Sequence, residues 1–134
     1  PGNVGAIARS AASLGAAALL LSPQCADAYH PVAVRGSAGS VLRLPVERGV
    51  AVTDAAARIR ATGGEIWAAA SAGTPILRWK PSKPVLVLIG AEGQGLSSAS
   101  LEFADGAVAI PLDRDVESLN VAVAAGILLH HLRR

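Results

Sequence analysis

The chain has 134 residues, with twelve Lys/Arg against ten Asp/Glu and a formal net charge of +2. Its 51% hydrophobic content and mean hydropathy of +0.44 exclude a disordered chain, because the apolar surface is ample to offset conformational entropy. The charge excess is too small for a protein that coats nucleic acid uniformly, and the length argues for a single domain.

One cysteine, Cys25, excludes an internal disulfide framework and fits a reducing, cytoplasmic location. The longest apolar run, residues 16–21, is far too short to cross a bilayer. Aromatic residues are only 3% and methionine is absent, so the core must be built from Ala, Val, Leu and Ile. So hydrophobic a chain with so few large side chains is expected to bury part of its surface against another copy of itself. Charge is unevenly spread: residues 1–83 hold nine basic and four acidic residues (+5), and residues 84–134 hold three and six (−3).

In chain order, Asn3 reads as an N-cap, with Val4, Ile7, Ala8, Ala11 and Leu14 at helical spacing and Gly15 as the stop. Residues 16–21 read as a short buried strand ending at Ser22-Pro23. Pro31 opens a helix through about Gly36, and a strand is expected at residues 41–44. Thr53 caps a helix to about Ala61 that stops at Gly63-Gly64. Residues 65–70 and 85–89 read as strands, the second nearly all aliphatic, as a central parallel strand should be. The proline-rich residues 75–84 read as a loop. A short helix at 98–104, a strand at 107–110 and a long helix at 118–133 follow, the last apolar almost all round and so expected to be buried on more than one face. Strands spaced by helices predict an α/β fold with a mostly parallel sheet.

Three segments can carry chemistry. The first, Pro1-Gly2-Asn3-Val4-Gly5, leads into a helix bearing Arg9. The second, Gly90-Ala91-Glu92-Gly93-Gln94-Gly95-Leu96-Ser97, follows a buried strand at the carboxyl edge, where parallel sheets bind ligands. It is neither a Walker loop, since no Gly-Lys pair exists in the chain, nor a dinucleotide fingerprint, since the third glycine is replaced by Ser98. The third is Ile110-Pro111-Leu112, then Glu117-Ser118-Leu119-Asn120-Val121, with Ser118 as the expected cap of the last helix and Asn120 in its first turn. Taken singly, these are a capped helix, a tight turn and a second capped helix.

Taken together and in order, they match the three motifs of the SpoU/TrmH-type RNA 2′-O-ribose methyltransferases of the SPOUT superfamily, and the resemblance covers essentially the whole chain. Gly36-Ser37-Ala38-Gly39 ahead of Leu44-Pro45-Val46 is similar to the family as well. The resemblance implies an α/β fold with a deep C-terminal trefoil knot, which no periodicity would reveal, and a homodimer through the C-terminal helix region. It implies S-adenosyl-L-methionine as cofactor, with Gly90, Ile110 and Leu119 contacting it largely through backbone groups, Gly93 and Leu112 beside them, and Ala70, within Ala69-Ala70-Ser71, as a further wall. Asn3, Arg9, Glu92, Ser118 and Asn120 match the family's polar active-site set.

The implied reaction is in-line attack of a ribose 2′-hydroxyl on a sulfonium methyl, which needs alignment and removal of a weakly acidic proton. A guanidinium is not deprotonated in proteins, so Arg9 is expected to bind a neighbouring phosphate and stabilise developing alkoxide charge, in its own subunit's site or the partner's. Glu92 is expected to orient Asn3 or Arg9. The expected partner is RNA, ribosomal RNA ahead of transfer RNA, with no metal and no membrane. The alternatives are a catalytically silent RNA-binding or dimerisation module with the knot fold, and a base-methylating relative. Ala69-Ala70-Ser71-Ala72-Gly73 only approximates a hydrolase nucleophile elbow, and His30, His130 and His131 do not make a metal set with Cys25. Residues 1–134 are expected to be one catalytic domain, lacking a first strand and any N-terminal RNA-binding domain.

Overall fold

The structure is a computed structural model that describes residues 1–82 and 84–133. In chain order its elements are α1 (Gly2–Ser13), β1 (Leu19–Leu20), α2 (Pro31–Gly36), a 3-10 turn (Ser40–Leu42), β2 (Val46–Glu47), α3 (Val52–Ala61), β3 (Glu65–Pro75), a second 3-10 turn (Ile76–Arg78), β4 (Val85–Leu88), α4 (Ser98–Leu101), β5 (Gly106–Ala109) and α5 (Val121–Leu132). The α/β class with parallel strands is as the sequence predicts. The chain divides into two compact units, residues 1–51 with 122–134, and residues 52–121.

In the first unit, α1 starts earlier than expected. Pro1 occupies the cap position, and its carbonyl accepts the Gly5 N–H at 2.9 Å, so Asn3 sits inside the first turn rather than capping it. The helix ends as predicted: Leu14 N–H reaches Ser10 O and Ala16 N–H reaches Ala11 O, both at 2.9 Å, around Gly15 in the left-handed conformation (φ 82°). Helix α2 has the expected bounds, with Pro31 in its first turn and the His30 imidazole Nδ1 accepting the Val32 N–H at 3.1 Å. Gly5 lets α1 lie directly on α2, because a methyl group there would collide with the Ala33 carbonyl oxygen.

The strand expected at residues 41–44 is instead the Ser40–Leu42 turn. Left-handed Gly39 (φ 79°) bends the chain there, and the Ser37 hydroxyl accepts the Val41 N–H at 3.3 Å. Pairing is deferred to β2, which runs parallel to β1 with Leu19 opposite Val46. β1 itself keeps only two of the six residues expected. Ala8, Leu21, Ala28 and Val41 form this unit's core, with Val4, Leu19, Val34 and Val46 packed against it. Helix α5 begins at Val121, not at Ser118. Of its residues Ala125 and Leu128 are buried, while Val123 is 52% and Ile127 37% exposed, so in this single chain it is not buried on several faces.

The second unit is a three-stranded parallel sheet in the order β4-β3-β5. Alternation along β3 buries Ile66 and Ala68, and Ile66 forms a core with Ala56 and Leu88, which Ile59, Leu86, Leu96 and Phe103 help to close. Trp67 points to the other face, where it meets buried Trp79 edge-on at 5.8 Å and lies over Gly106. The Trp67 indole N–H and the Ser82 N–H both donate to the Glu65 carboxylate, at 3.2 and 2.8 Å, which ties the return loop to the start of β3.

A second tie lies before β5. Asp105 N–H donates to Ile66 O and Ile66 N–H to the Asp105 carboxylate, both at 2.7 Å, while Arg60 of α3 donates to that carboxylate at 2.8 Å and to Phe103 O at 3.1 Å. The Ile66 N–H is the largest influence and holds the Asp105 carboxyl below its ordinary value; burial opposes it, and Arg60 adds to the lowering through its hydrogen bond and its charge. A carboxylate with a depressed folded-state pKa stabilises the fold above its unfolded pKa and stops doing so as pH falls through the folded one. Asp105→Ala should therefore lower the Tm at pH 7, and the gap to the wild type should close as the medium is acidified below about pH 4. Thermal melts of both proteins across that range measure it.

Candidate active site

Three parallel strands leave the second unit's sheet at one edge, and most of the predicted site residues stand there. β4 ends at Leu88 and leads through Ile89 into Gly90. The next residues fold back on themselves: Ala91 and Gly95 bridge, with Gly95 N–H to Ala91 O at 2.9 Å, and Gly93 and Gly95 take left-handed conformations (φ 83° and 69°). Gly90 is needed for this turn, since a methyl group there would overlap the Gly95–Leu96 peptide. The close approach at Gly90 is thus to the chain's own backbone, a reason the sequence alone does not supply.

β5 ends at Ala109 and delivers Ile110, Pro111 and Leu112 to the same edge. Its neighbour β3 is longer than expected and bulged. Ala69 and Thr74 both register with Val108, so Ala70, Ser71, Ala72 and Gly73 leave the ladder between them. Gly73 lies tight against Ala107, whose carbonyl oxygen would be 2.6 Å from an added methyl. Ala70, Gly90, Ile110, Leu112 and Leu119 are all half-buried, whereas Glu92, Gly93, Ser118 and Asn120 are exposed.

The second and third motifs meet. The Asn120 amide nitrogen donates to the Glu92 carboxylate at 3.4 Å, a long contact between the glycine-rich turn and the segment before α5. Glu92 thus lies against Asn120. Neither Ser118 nor Asn120 belongs to the last helix. A tight turn precedes them, closed by Val116 N–H to Asp113 O at 3.2 Å, with Arg114 and Asp115 both left-handed (φ 58° and 57°). Two consecutive non-glycine residues in that region carry a conformational cost of order 1 kcal/mol each. No glycine or asparagine signals this turn, which is why the sequence reading missed it.

The first motif lies in the other unit. Asn3 is half-buried in the first turn of α1, and Arg9 is exposed six residues later. At helical geometry they stand about 9 Å apart along the axis and roughly 120° apart around it, so they face different directions. Among the described residues, no group of three or more His, Cys, Asp or Glu side chains is placed to hold a metal ion, and no helix is long and apolar enough to cross a membrane.

A parallel α/β chain with a glycine-rich turn and an asparagine-bearing loop at one strand edge places these loops where parallel sheets bind ligands. Its family is explicit: residues 1–130 match the SpoU rRNA Methylase family, to which this chain belongs. The chain is 39% identical over its whole length to an uncharacterised tRNA/rRNA methyltransferase of Synechocystis, covering 49% of that protein. It is 36% identical, over 99% of its length and 54% of the relative, to RlmP of Bacillus subtilis, named as a 23S rRNA guanosine 2′-O-methyltransferase. Among solved structures, the SpoU methyltransferase AviRb from Streptomyces viridochromogenes, in complex with AdoMet, superimposes with a TM-score of 0.89 at 37% identity, over 99% of this chain and 52% of that one. The chain spans about half the length of the relatives it matches.

Because Gly90 sets the turn that carries Glu92, Gly90→Ala should cost about 1–3 kcal/mol of stability, as overpacking against backbone does. Denaturant melts of both proteins measure the effect.

Proposed function

We propose that this chain is catalytic machinery of an S-adenosylmethionine-dependent RNA 2′-O-ribose methyltransferase, acting on ribosomal RNA in the cytoplasm. The observation that carries the reading is the meeting of the second and third motifs, through Glu92 and Asn120, on the strand edge that also carries Ala70, Gly90 and Ile110. The names of RlmP and AviRb, at 36–37% identity over nearly the whole chain, support the same chemistry.

The residues at that edge suit a nucleoside cofactor. Half-buried Ile110, Leu112 and Leu119 offer apolar contact to a flat ring, and the small side chains of Ala70 to Gly73 leave backbone groups within reach. S-adenosylmethionine bound there supplies an electrophilic methyl group on a sulfonium. The protein's own task is to align the ribose hydroxyl and to steady the negative charge that grows on its oxygen. Arg9, permanently charged and exposed, binds the adjacent phosphate and stabilises that charge. Glu92 accepts from the Asn120 amide and fixes its orientation at the edge, and exposed Ser118 precedes Asn120 by two residues. The divergence of Asn3 and Arg9 around α1 favours a site to which two subunits contribute, so the reading includes a homodimer through the α5 region. Exposed Val123 and Ile127 on that helix support it. The reading also includes the family's C-terminal trefoil knot, and a single catalytic domain over residues 1–134.

Incubating the protein with ribosomal RNA and methyl-labelled S-adenosylmethionine should place label on a ribose 2′-oxygen, read as a linkage resistant to alkaline hydrolysis. Absence of cofactor binding at millimolar concentration would favour a silent module instead. Arg9→Ala should lower methyl transfer about a hundredfold or more, the scale of losing one charge-stabilising group. Arg9→Lys should retain part of the activity while RNA binding weakens; full activity with unchanged RNA affinity would remove Arg9 from this role.

A further inference from the structure

The chain has four aromatic residues in all, and they are placed unequally. Trp79 is buried, Trp67 and Phe103 are half-buried, and all three belong to the unit of residues 52–121. Tyr29 is 41% exposed and stands in the other unit. That unit holds six arginines against two acidic residues, a formal +4, while residues 52–121 hold six basic and eight acidic residues, a formal −2. The chain's one solvent-exposed aromatic ring therefore sits on its cationic unit.

Tyr29 is also held in place. Its N–H donates to the Asp27 carboxylate at 2.9 Å, a local turn that fixes the backbone. Arg48 donates to the same carboxylate at 3.1 Å and lays its guanidinium over the ring, 5.3 Å from the centroid. One face of the ring is thereby occupied by a cation that is itself anchored, and the ring remains accessible to solvent. Next in sequence, exposed His30 accepts the Val32 N–H at Nδ1, which leaves its ring proton on Nε2 as a donor. A fixed, half-exposed aromatic ring backed by arginine, with a hydrogen-bond donor beside it on a cationic surface, is the arrangement that stacks an unpaired nucleobase while the backbone phosphates meet the surrounding charge. Burying Tyr29 in an apolar contact with protein would instead have to desolvate Arg48 and Asp27, whose side chains are 58% and 52% exposed.

We propose that the Tyr29–Arg48 pair is a stacking platform for an unpaired base of single-stranded RNA, a substrate contact separate from the methyl-transfer residues. The inference rests on the RNA-directed reading above and adds to it a base contact.

The test uses a single-stranded RNA oligonucleotide carrying 2-aminopurine, whose fluorescence falls when it stacks on an aromatic ring. The wild-type chain should bind the RNA and quench the probe. Tyr29→Phe should do both equally well. Tyr29→Leu, which keeps an apolar side chain without the ring, should lose the quenching and bind about five- to a hundredfold more weakly, the range for one base stack. Circular dichroism shows that each variant is folded, and the exposed position makes all of them tolerable. If the wild type binds RNA but Tyr29→Leu binds and quenches equally, the platform is overturned while the RNA reading stands. If the wild type binds no RNA, the broader reading fails with it.

Discussion

Parallel pairing of β3 with both β4 and β5 is the constraint on which the candidate site depends. Parallel neighbours must all run the same way, so the chain exits of the three strands fall on one edge of the sheet. Gly90 follows β4, Ile110 follows β5, and the Ala70-to-Gly73 bulge interrupts β3, all at that edge, although Ala70 and Ile110 are separated by forty residues in sequence. No residue in these loops selects the others directly. The register does, with Ala68 opposite Leu88 and Val108 opposite Ala69, and the Arg60–Asp105–Ile66 tie secures it from the opposite end of the strands.

The composition then explains how tightly these loops are drawn. A core with so few large side chains fills space by bringing backbones together rather than by interdigitating rings. Ala8, Ala11, Ala28, Ala33, Ala55, Ala56, Ala68, Ala109 and Ala125 are all buried. Glycine appears where even a methyl group is too much: Gly5 against Ala33, Gly73 against Ala107, and Gly90 against the peptide after Gly95. The aromatic scarcity and the close-packed site edge are one property seen at two scales.

The same small residues decide what could be read from the sequence. Where a local rule acts alone, the reading is accurate: Pro31 fixes the start of α2, Gly15 the end of α1, and aliphatic Val85 to Leu88 a parallel strand, although that strand borders its three-stranded sheet and β3, not β4, is the central one. Where a tertiary contact competes, it fails. Ser118 looks like a helix cap, but the chain there takes the left-handed Arg114–Asp115 turn and Asn120 reaches Glu92, so α5 starts at Val121. Residues 41–44 look like a strand because a short apolar run cannot be told from a buried turn, and the Ser37 hydroxyl settles the matter. The proposed polar set Asn3, Arg9, Glu92, Ser118 and Asn120 stands out in the sequence only as an ordered pattern of motifs. That Glu92 lies against Asn120 does not, because nothing in spacing brings together side chains twenty-eight residues apart.

Charge follows the same logic. Divided by sequence position, the chain is basic early and acidic late; divided by packing, Arg133 joins Arg9, Arg35, Arg43 and Arg48, while Arg58, Arg60, Arg78 and Lys80 fall among the acidic residues. The net +2 is therefore a sum of a +4 unit and a −2 unit. On the proposed function each sign suits its ligand. A polyanion is drawn to the unit that carries Arg9 and Tyr29, and a sulfonium cation is better tolerated on the unit that carries Glu92. A modest total charge can conceal this division, because binding responds to the local field rather than to its sum.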